Sequence, residues 1–272
     1  MNHFTFYTII GRDPEMFEAH VRNVKYHAGF DKIPCEKEFL AIVYTNPRIA
    51  PETTHRILEL CAKYGVRPYL YEEPPSAPWL QNLYRCWNLG YEQAKPGHVF
   101  RSGSDQMWNR HGIVALCENA AFAKPNQIVW SNTVESGKRA PDTRHLTWES
   151  GDHPRDFNEE AFESYVAQLN MEARDRGLLS LAESLRLWGK PTPIHSPHFG
   201  PGHNRVEGVS WLMTTDLFNQ LGPMPEHLVY GFTGDVIYAD RMELAGYEHV
   251  IARDSVSFHY ARGESEGIER TC

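Results

Sequence analysis

VFRSGSDQMW, residues 99–108, is the stretch whose reading decides the fold. It opens as a short apolar run, breaks at Ser102-Gly103-Ser104 and arrives at a single carboxylate, Asp105. A buried strand that stops on an acid is where open α/β sheets place chemistry, because ligands sit outside the carboxyl ends of the strands. The chain before it reads as sheet and helix leading up to this point. Much of the chain after it reads as a lid and a second wall.

Working outward toward the N-terminus, residues 4–10 (FTFYTII) are a β-rich first strand. Asp13 then caps a helix with Pro14 at its first position and Glu15 and Glu18 in its first turn. Phe17, Val21 and Val24 form its buried face, and Gly29 ends it. Residues 39–44 (FLAIVY) are a continuous apolar strand, the pattern of a sheet covered on both faces. A helix from Pro51 comes next, with Ile57, Leu60, Cys61 and Tyr64 at helical spacing and Gly65 as stop; residues 66–71 are the third strand. Pro74, Pro75 and Pro78 force a link. A helix over residues 79–93 buries Leu80, Leu83, Tyr84, Trp87 and Tyr91, and carries Gln81, Arg85 and Asn88 on a different face.

Beyond Asp105, Ile113, Leu116, Cys117 and Ala120 mark another helix and residues 128–131 another strand. The first half thus alternates β-α-β-α-β-α-β-α-β, which implies a mostly parallel sheet with helices on both sides. No GxGxxG or Walker loop follows any strand, which weighs against a dinucleotide oxidoreductase or P-loop NTPase. Residues 133–155 read as loop, 157–188 as two helices meeting near Gly177, and 189–205 as a long functional or mobile loop. Residues 206–214 are a strand, and a short helix runs to Leu221 with Gly222 as its stop. A further helix spans 235–245 before Gly246, and a last strand within 247–258 stops at His259.

Bulk composition narrows the class. The 272 residues are 41% hydrophobic, enough for a full core, and the net charge of -8 gives no global attraction to nucleic acid or anionic membrane. Cys35, Cys61, Cys86, Cys117 and Cys272 form no CxxC pair and read as reduced structural thiols, which places the protein in the cytoplasm. No apolar run approaches the length of a membrane span, and the N-terminus reads as too quickly polar for a signal peptide.

Three groups at element ends are chemical candidates: Asp105, Asp235 at a helix start, and His259 after a strand. A carboxylate and an imidazole on separate strand ends can share a divalent cation with a phosphate-bearing substrate. Capping or loop roles are the plain alternatives for each.

The VFRSGSD strand end, followed far downstream by GVSWLMTTDLFNQLGPMPEHLVYGFTGDVIYADRMELAGYEHVIARDSVSFH (208–259), resembles an inverting family 2 glycosyltransferase of GT-A fold. Gly208, Leu221-Gly222, Tyr230, Asp235, Arg241, Gly246-Tyr247 and His259 fall in that family's order. The resemblance covers residues 4–130 and 206–260. It implies one GT-A catalytic domain over 1–272, with a Rossmann-like, mostly parallel mixed sheet. Residues 1–130 would form the nucleotide-sugar half, 131–205 an insert or lid facing the acceptor side, and 206–272 the acceptor half with the metal-ligand strand.

On the same resemblance, Asp105 matches the last acid of the DXD motif and His259 the further metal ligand, for Mn²⁺ or Mg²⁺. Asp235 matches the catalytic base. Two positions depart from the family: Gly103 stands for the first acid of DXD, and Gly234 for the first acid of the usual Glu-Asp pair. Thr8, Arg12, Asn46, Arg85, Asn88 and Ser104 join Asp105 as donor-binding candidates, and Trp211, Tyr230 and Gly234 are acceptor-binding candidates. The implied reaction moves one sugar from a nucleotide-sugar, UDP-linked by first choice, to an acceptor hydroxyl with inversion. No processive QxxRW signature follows His259. The acceptor would be a saccharide, or a hydroxymethylated DNA base flipped out of the duplex. The alternatives are a sugar-phosphate nucleotidyltransferase, with Ile10-Gly11-Arg12-Asp13 as a poor version of its loop, and a non-enzymatic metal- or ligand-binding module using His195, His198 and His203.

Overall fold

The structure is a computed structural model that describes residues 1–75, 77, 79–135, 153–175, 211–227 and 234–260. The first half alternates as its sequence predicts: β1 (His3–Ile10), α1 (Pro14–Arg22), β2 (Glu36–Thr45), α2 (Pro51–Tyr64), β3 (Arg67–Glu72), α3 (Trp79–Gln93) and β4 (His98–Gly103). After a two-residue turn come β5 (Gln106–Trp108), α4 (Gly112–Phe122) and β6 (Gln127–Glu135). The remainder is α5 (Glu159–Asp175), β7 (Trp211–Thr214), α6 (Thr215–Leu221), α7 (Gly234–Leu244) and β8 (Glu248–His259).

The helix boundaries reflect local chemistry. Asp13 accepts the Met16 N–H at 2.9 Å and Pro14 opens α1. Gly65 ends α2 in the left-handed region at φ 64, a conformation open to glycine without strain. α1 does not end where its α-helical bonding ends. It continues as a five-residue π turn, Asn23–His27, before Gly29 at φ 83 turns the chain. That wide turn is absent from any apolar periodicity, and it carries Asn23 toward β5 and His27 toward α5.

All eight strands form one sheet in the order β3-β2-β1-β4-β7-β6-β8-β5. β3, β2, β1, β4, β6 and β8 run one way, and β7 and β5 the other. The fully buried β1 is third from one edge, with β2 and β4 paired to it in parallel. Helices α1, α2 and α4 cover one face through Phe17, Ile57, Leu60, Ile113 and Leu116 against Phe4, Phe6 and Phe100. Helices α3, α6 and α7 cover the other through Tyr84, Trp87, Leu217, Phe218 and Tyr238 against Tyr7, Trp130 and Trp211. Connections leave β1 toward β2 and β3, then return to β4 on its other side. The carboxyl ends of β1 and β4 therefore flank the crevice where such sheets bind ligands.

Several boundaries differ from the sequence reading. β2 begins at Glu36, because backbone pairing with His3 extends through polar residues outside the apolar run. β6 runs to Glu135 inside the segment read as loop. Asp105 does not close a strand; it lies in the turn between β4 and β5, the latter too short to leave a pattern. The expected helix break near Gly177 lies outside the described residues.

The described part of the 131–205 segment is a backing element. Phe162, Tyr165 and Val166 of α5 bury themselves against Met107 of β5 and Val256, Phe258 and Tyr260 around β8. Polar contacts pin the same segment to the first helix: His153 to Asp13 at 2.7 Å, Arg155 to Glu15, and His27 of the π turn to Glu159 at 3.0 Å and Glu163 at 2.9 Å. Burial alone would push the His27 imidazole down. Hydrogen bonds and attraction from Glu159 and Glu163 outweigh it and lift the group to about 9.

That lift fixes the sign of the pH effect. The ordinary value is 6.5, so the stabilisation is fully present below it and is lost as pH rises through about 9. Urea unfolding at pH 7 and pH 10 should therefore show a loss of stability at the higher pH that His27→Gln largely abolishes. A His27→Gln variant with the parent's alkaline loss would show that the contact carries no net stability.

Candidate active site

The turn that carries Asp105 is built from its neighbours' backbone needs. Gln106, fully buried, uses its Oε1 to accept the Gly103 N–H at 2.9 Å and the Ser102 hydroxyl at 3.0 Å, which folds residues 102–106 back on themselves. The Asp105 carbonyl accepts the Tyr260 N–H at 3.0 Å, tying the turn to the end of β8. β5 lies at the edge of the sheet, so Gln106 and Trp108 present backbone groups away from β8. Side chains from α1 and its π turn meet them. His20 Nδ1 donates to the Gln106 carbonyl at 2.7 Å; Asn23 accepts the Trp108 N–H at 2.7 Å and donates to its carbonyl at 3.1 Å. Burial pushes His20 down to about 4, so the ring is neutral and its one proton sits on Nδ1.

Antiparallel pairing of β5 with β8 sets Gln106 opposite His259. His259 Nε2 consequently lies 3.1 Å from Asp105 Oδ2, across 154 residues of chain, with both side chains mostly buried. Gly103 makes room for this arrangement. A Cβ there would fall far inside contact distance of Asp105 Oδ1. The space that a side chain at position 103 would take is thus filled by the Asp105 carboxylate.

The pair suits a small divalent cation. Adjacent ligands at about 2.1 Å around an octahedral ion lie about 3.0 Å apart, close to the observed separation. One carboxylate oxygen and one imidazole are acceptable donors for Mg²⁺ or Mn²⁺, which normally take their remaining ligands from phosphate and water. Among the described residues no third His, Cys, Asp or Glu joins them. Asp105 and His259 therefore fit as a two-ligand site completed by a substrate's oxygens. A metal bound through Nε2 requires that ring nitrogen to be unprotonated.

The other candidates divide by location. Thr8 pairs with Ser102 across β1 and β4 and is fully buried, its hydroxyl without a hydrogen-bond partner among the described residues. Ser104 is buried in the Asp105 turn. Arg12 lies beyond the end of β1, and its charge acts on Glu73, a carboxyl that burial pushes up. Asn46, just past β2, donates to Glu73 at 2.7 Å and accepts the Arg48 N–H at 2.9 Å. Glu73 completes this carboxyl-edge group and has no sequence signal beyond standing before Pro74-Pro75.

Two of the donor candidates, both on α3, are engaged by other groups of the chain. Asn88 is fully buried; it donates to the Met224 carbonyl at 2.9 Å and accepts the Met224 N–H at 2.8 Å, a strand-like clamp on the loop after α6. Arg85 beside it pairs with Glu92 at 2.8 Å and lies 3.7 Å from Glu226. Trp211 is core and not an acceptor floor. It has no exposed surface, donates to the Tyr91 hydroxyl at 2.7 Å and packs edge-on to Trp130. The buried Arg101 guanidinium lies 4.3 Å from the Trp211 ring and 3.6 Å from Trp87. Gly234 is the first residue of α7 and Asp235 the second, inside the first turn and not at the cap. Gly208, Tyr230, His195, His198 and His203 lie outside the described residues.

No family model matches the chain, and no curated protein matches it in sequence. Solved structures match it in fold. A mannosyltransferase from Pyrobaculum calidifontis, in complex with GDP-Man and Mn²⁺, shares 14% identity over 97% of this chain and 59% of its own, at a TM-score of 0.52. Glucosyl-3-phosphoglycerate synthase from Mycobacterium tuberculosis, with Mn²⁺, UDP-glucose and phosphoglyceric acid, shares 11% over 97% of this chain and 74% of its own, at 0.50. GalNAc-T7, with UDP, GalNAc and Mn²⁺, shares 9% over 94% of this chain and 43% of its own, at 0.57.

The chain has the GT-A fold. It spans less than two thirds of the mannosyltransferase's length. At these identities the likeness shows the fold alone.

The role of Gly103 is open to test. Gly103→Ala should fold as the parent does, yet turn the Asp105 carboxylate away from His259 and weaken Mn²⁺ binding by about tenfold or more. Calorimetry with Mn²⁺ measures this; an unchanged affinity would show that the close approach of Gly103 to Asp105 is incidental.

Proposed function

We propose that this chain is a metal-assisted, inverting glycosyltransferase that moves one sugar from a nucleotide-sugar, UDP-linked by first choice, to an acceptor hydroxyl. The observation that carries the reading is the meeting of Asp105 and His259, 3.1 Å apart, at the carboxyl edge of a GT-A sheet. Solved structures of that fold were obtained with nucleotide-sugars or UDP and Mn²⁺.

In this reading Asp105 and His259 hold Mn²⁺ or Mg²⁺, which when bound offsets the charge on the departing nucleoside diphosphate. The carboxyl-edge group of Thr8, Arg12 and Asn46, with Ser104, borders the donor. Asp235 takes the proton from the acceptor hydroxyl as it attacks the anomeric carbon, so one displacement inverts that centre. Tyr230 and Gly234 belong to the acceptor side. The acceptor is a saccharide or a hydroxymethylated base in DNA, and the two are separate arms of the same assay. Among the described residues no helix is long and apolar enough to cross a membrane.

Calorimetry with UDP, with and without Mn²⁺, followed by a screen of UDP-, GDP- and dTDP-sugars, tests the reading. Asp105→Asn and His259→Ala should each lose metal-dependent UDP binding. Asp235→Asn should keep it and lose transfer by about 100-fold or more. Metal-independent UDP binding that survives in Asp105→Asn would refute the metal assignment, and parent-rate transfer by Asp235→Asn would refute the base.

A further inference from the structure

β8 does not reach Asp105 as an uninterrupted strand. It pairs with β6 from Gln127↔Glu248 to Trp130↔Ile251, and pairing resumes from Asn132↔Val256 to Glu135↔His259. Between these stretches β6 uses one residue, Ser131, where β8 uses four, 252–255. The excursion advances β8 by three places. Without it the first register would continue, and Val256 would stand opposite Glu135 where His259 stands now. A bulge of this kind re-aims the side chains beyond it, and a strand's register decides which face each of them meets.

The excursion is held from two sides. Ser131 donates to the Ser255 carbonyl at 3.1 Å, and the Ser255 hydroxyl donates back to Ser131 at 3.2 Å. Opposite them stands Asn109, 4% exposed, on the chain just past β5. Its Oδ1 accepts the Val256 N–H at 2.9 Å, its Nδ2 donates to the Asp254 carbonyl at 3.1 Å, and its backbone N–H donates to the Val256 carbonyl at 3.0 Å. Asp254 lies at φ 63, in the left-handed region that aspartate tolerates better than most residues with a side chain. Gly112 leaves the space that the Asn109 amide fills. One side chain thus satisfies the backbone at both the crest and the exit of the bulge, four residues along the chain from Asp105.

We propose that Asn109 is the positioning residue of the Asp105–His259 pair: it fixes where β8 resumes pairing, and so brings His259 beside Asp105. Its importance for metal binding rests on the proposed glycosyltransferase function; its effect on register does not.

Amide hydrogen exchange on the parent, Asn109→Ala and Asn109→Asp tests this, with Mn²⁺ calorimetry alongside. The reporter is the Tyr260 N–H, bonded to the Asp105 carbonyl; the reference is Ile42 in β2. In Asn109→Ala, protection at Tyr260 should fall by about tenfold or more while Ile42 keeps the parent's value, and Mn²⁺ affinity should fall by a similar factor. Asn109→Asp keeps an acceptor for Val256 and should show smaller losses; it carries the comparison if the alanine variant does not fold. Equal losses at Tyr260 and Ile42 would reduce Asn109 to a general stabiliser. Unchanged protection at Tyr260 would mean that the register stands without it. Either result overturns the proposal. A parent that binds no Mn²⁺ sinks the metal reading, and the exchange comparison still judges Asn109.

Discussion

A three-residue strand at the edge of a sheet has too little backbone to hold itself, and the site depends on how β5 solves that problem. Every polar group left bare in a buried edge costs about 1–3 kcal/mol. β8 satisfies one side of Gln106–Trp108, and His20 and Asn23 satisfy the other, standing in for a further strand. The same contacts aim the turn before β5. If they failed, Asp105 would be an acid on a loose loop. The π turn after α1 serves this arrangement, since it carries Asn23 to the Trp108 backbone and His27 to the carboxylates of α5.

The two sheet faces divide the work. On the face of α1, α2 and α4, packing is dominated by aliphatic and phenyl groups, whose burial backs the central strands. The other face is aromatic and partly polar. There Arg101 lies against two indole rings, and Asn88 clamps the backbone of Met224. Arg241 of α7 donates to the Pro223 carbonyl at 2.8 Å, so the helix that opens with Gly234-Asp235 is fastened to a loop that is itself fastened to α3. Charges close to aromatic faces in a dry interior gain from the ring quadrupole, which offsets part of their lost hydration.

What the sequence made legible was whatever repeats. Strands of continuous apolar residues, helices with a 3.6-residue apolar rhythm, and the Asp13-Pro14 and Gly65 end signals all stand where the residues say. The meeting of Asp105 and His259 was legible as well, through the order of the downstream block. What escaped was single-residue and non-periodic. β5 is too short for a pattern, the bulge at 252–255 depends on Asn109 far away in sequence, and the π turn has no compositional mark. Trp211 and Asn88 misled for one reason: a large aromatic ring or an amide has the same appearance in sequence whether it meets a ligand or a backbone. Only burial separates the two cases.

The bulge in β8 and the turn at Asp105 belong to distant parts of the described chain, which bears on how the molecule is made. Synthesis from the N-terminus lets β1 to β4 assemble early, since their pairings and helices are all present before the midpoint is reached. During that interval Asp105 has no imidazole beside it, and the outer strand is supported by α1 only. The centre closes when the final strand docks. The Asp105–His259 pair is therefore withheld from a nascent or prematurely released polypeptide, however well its first half has folded.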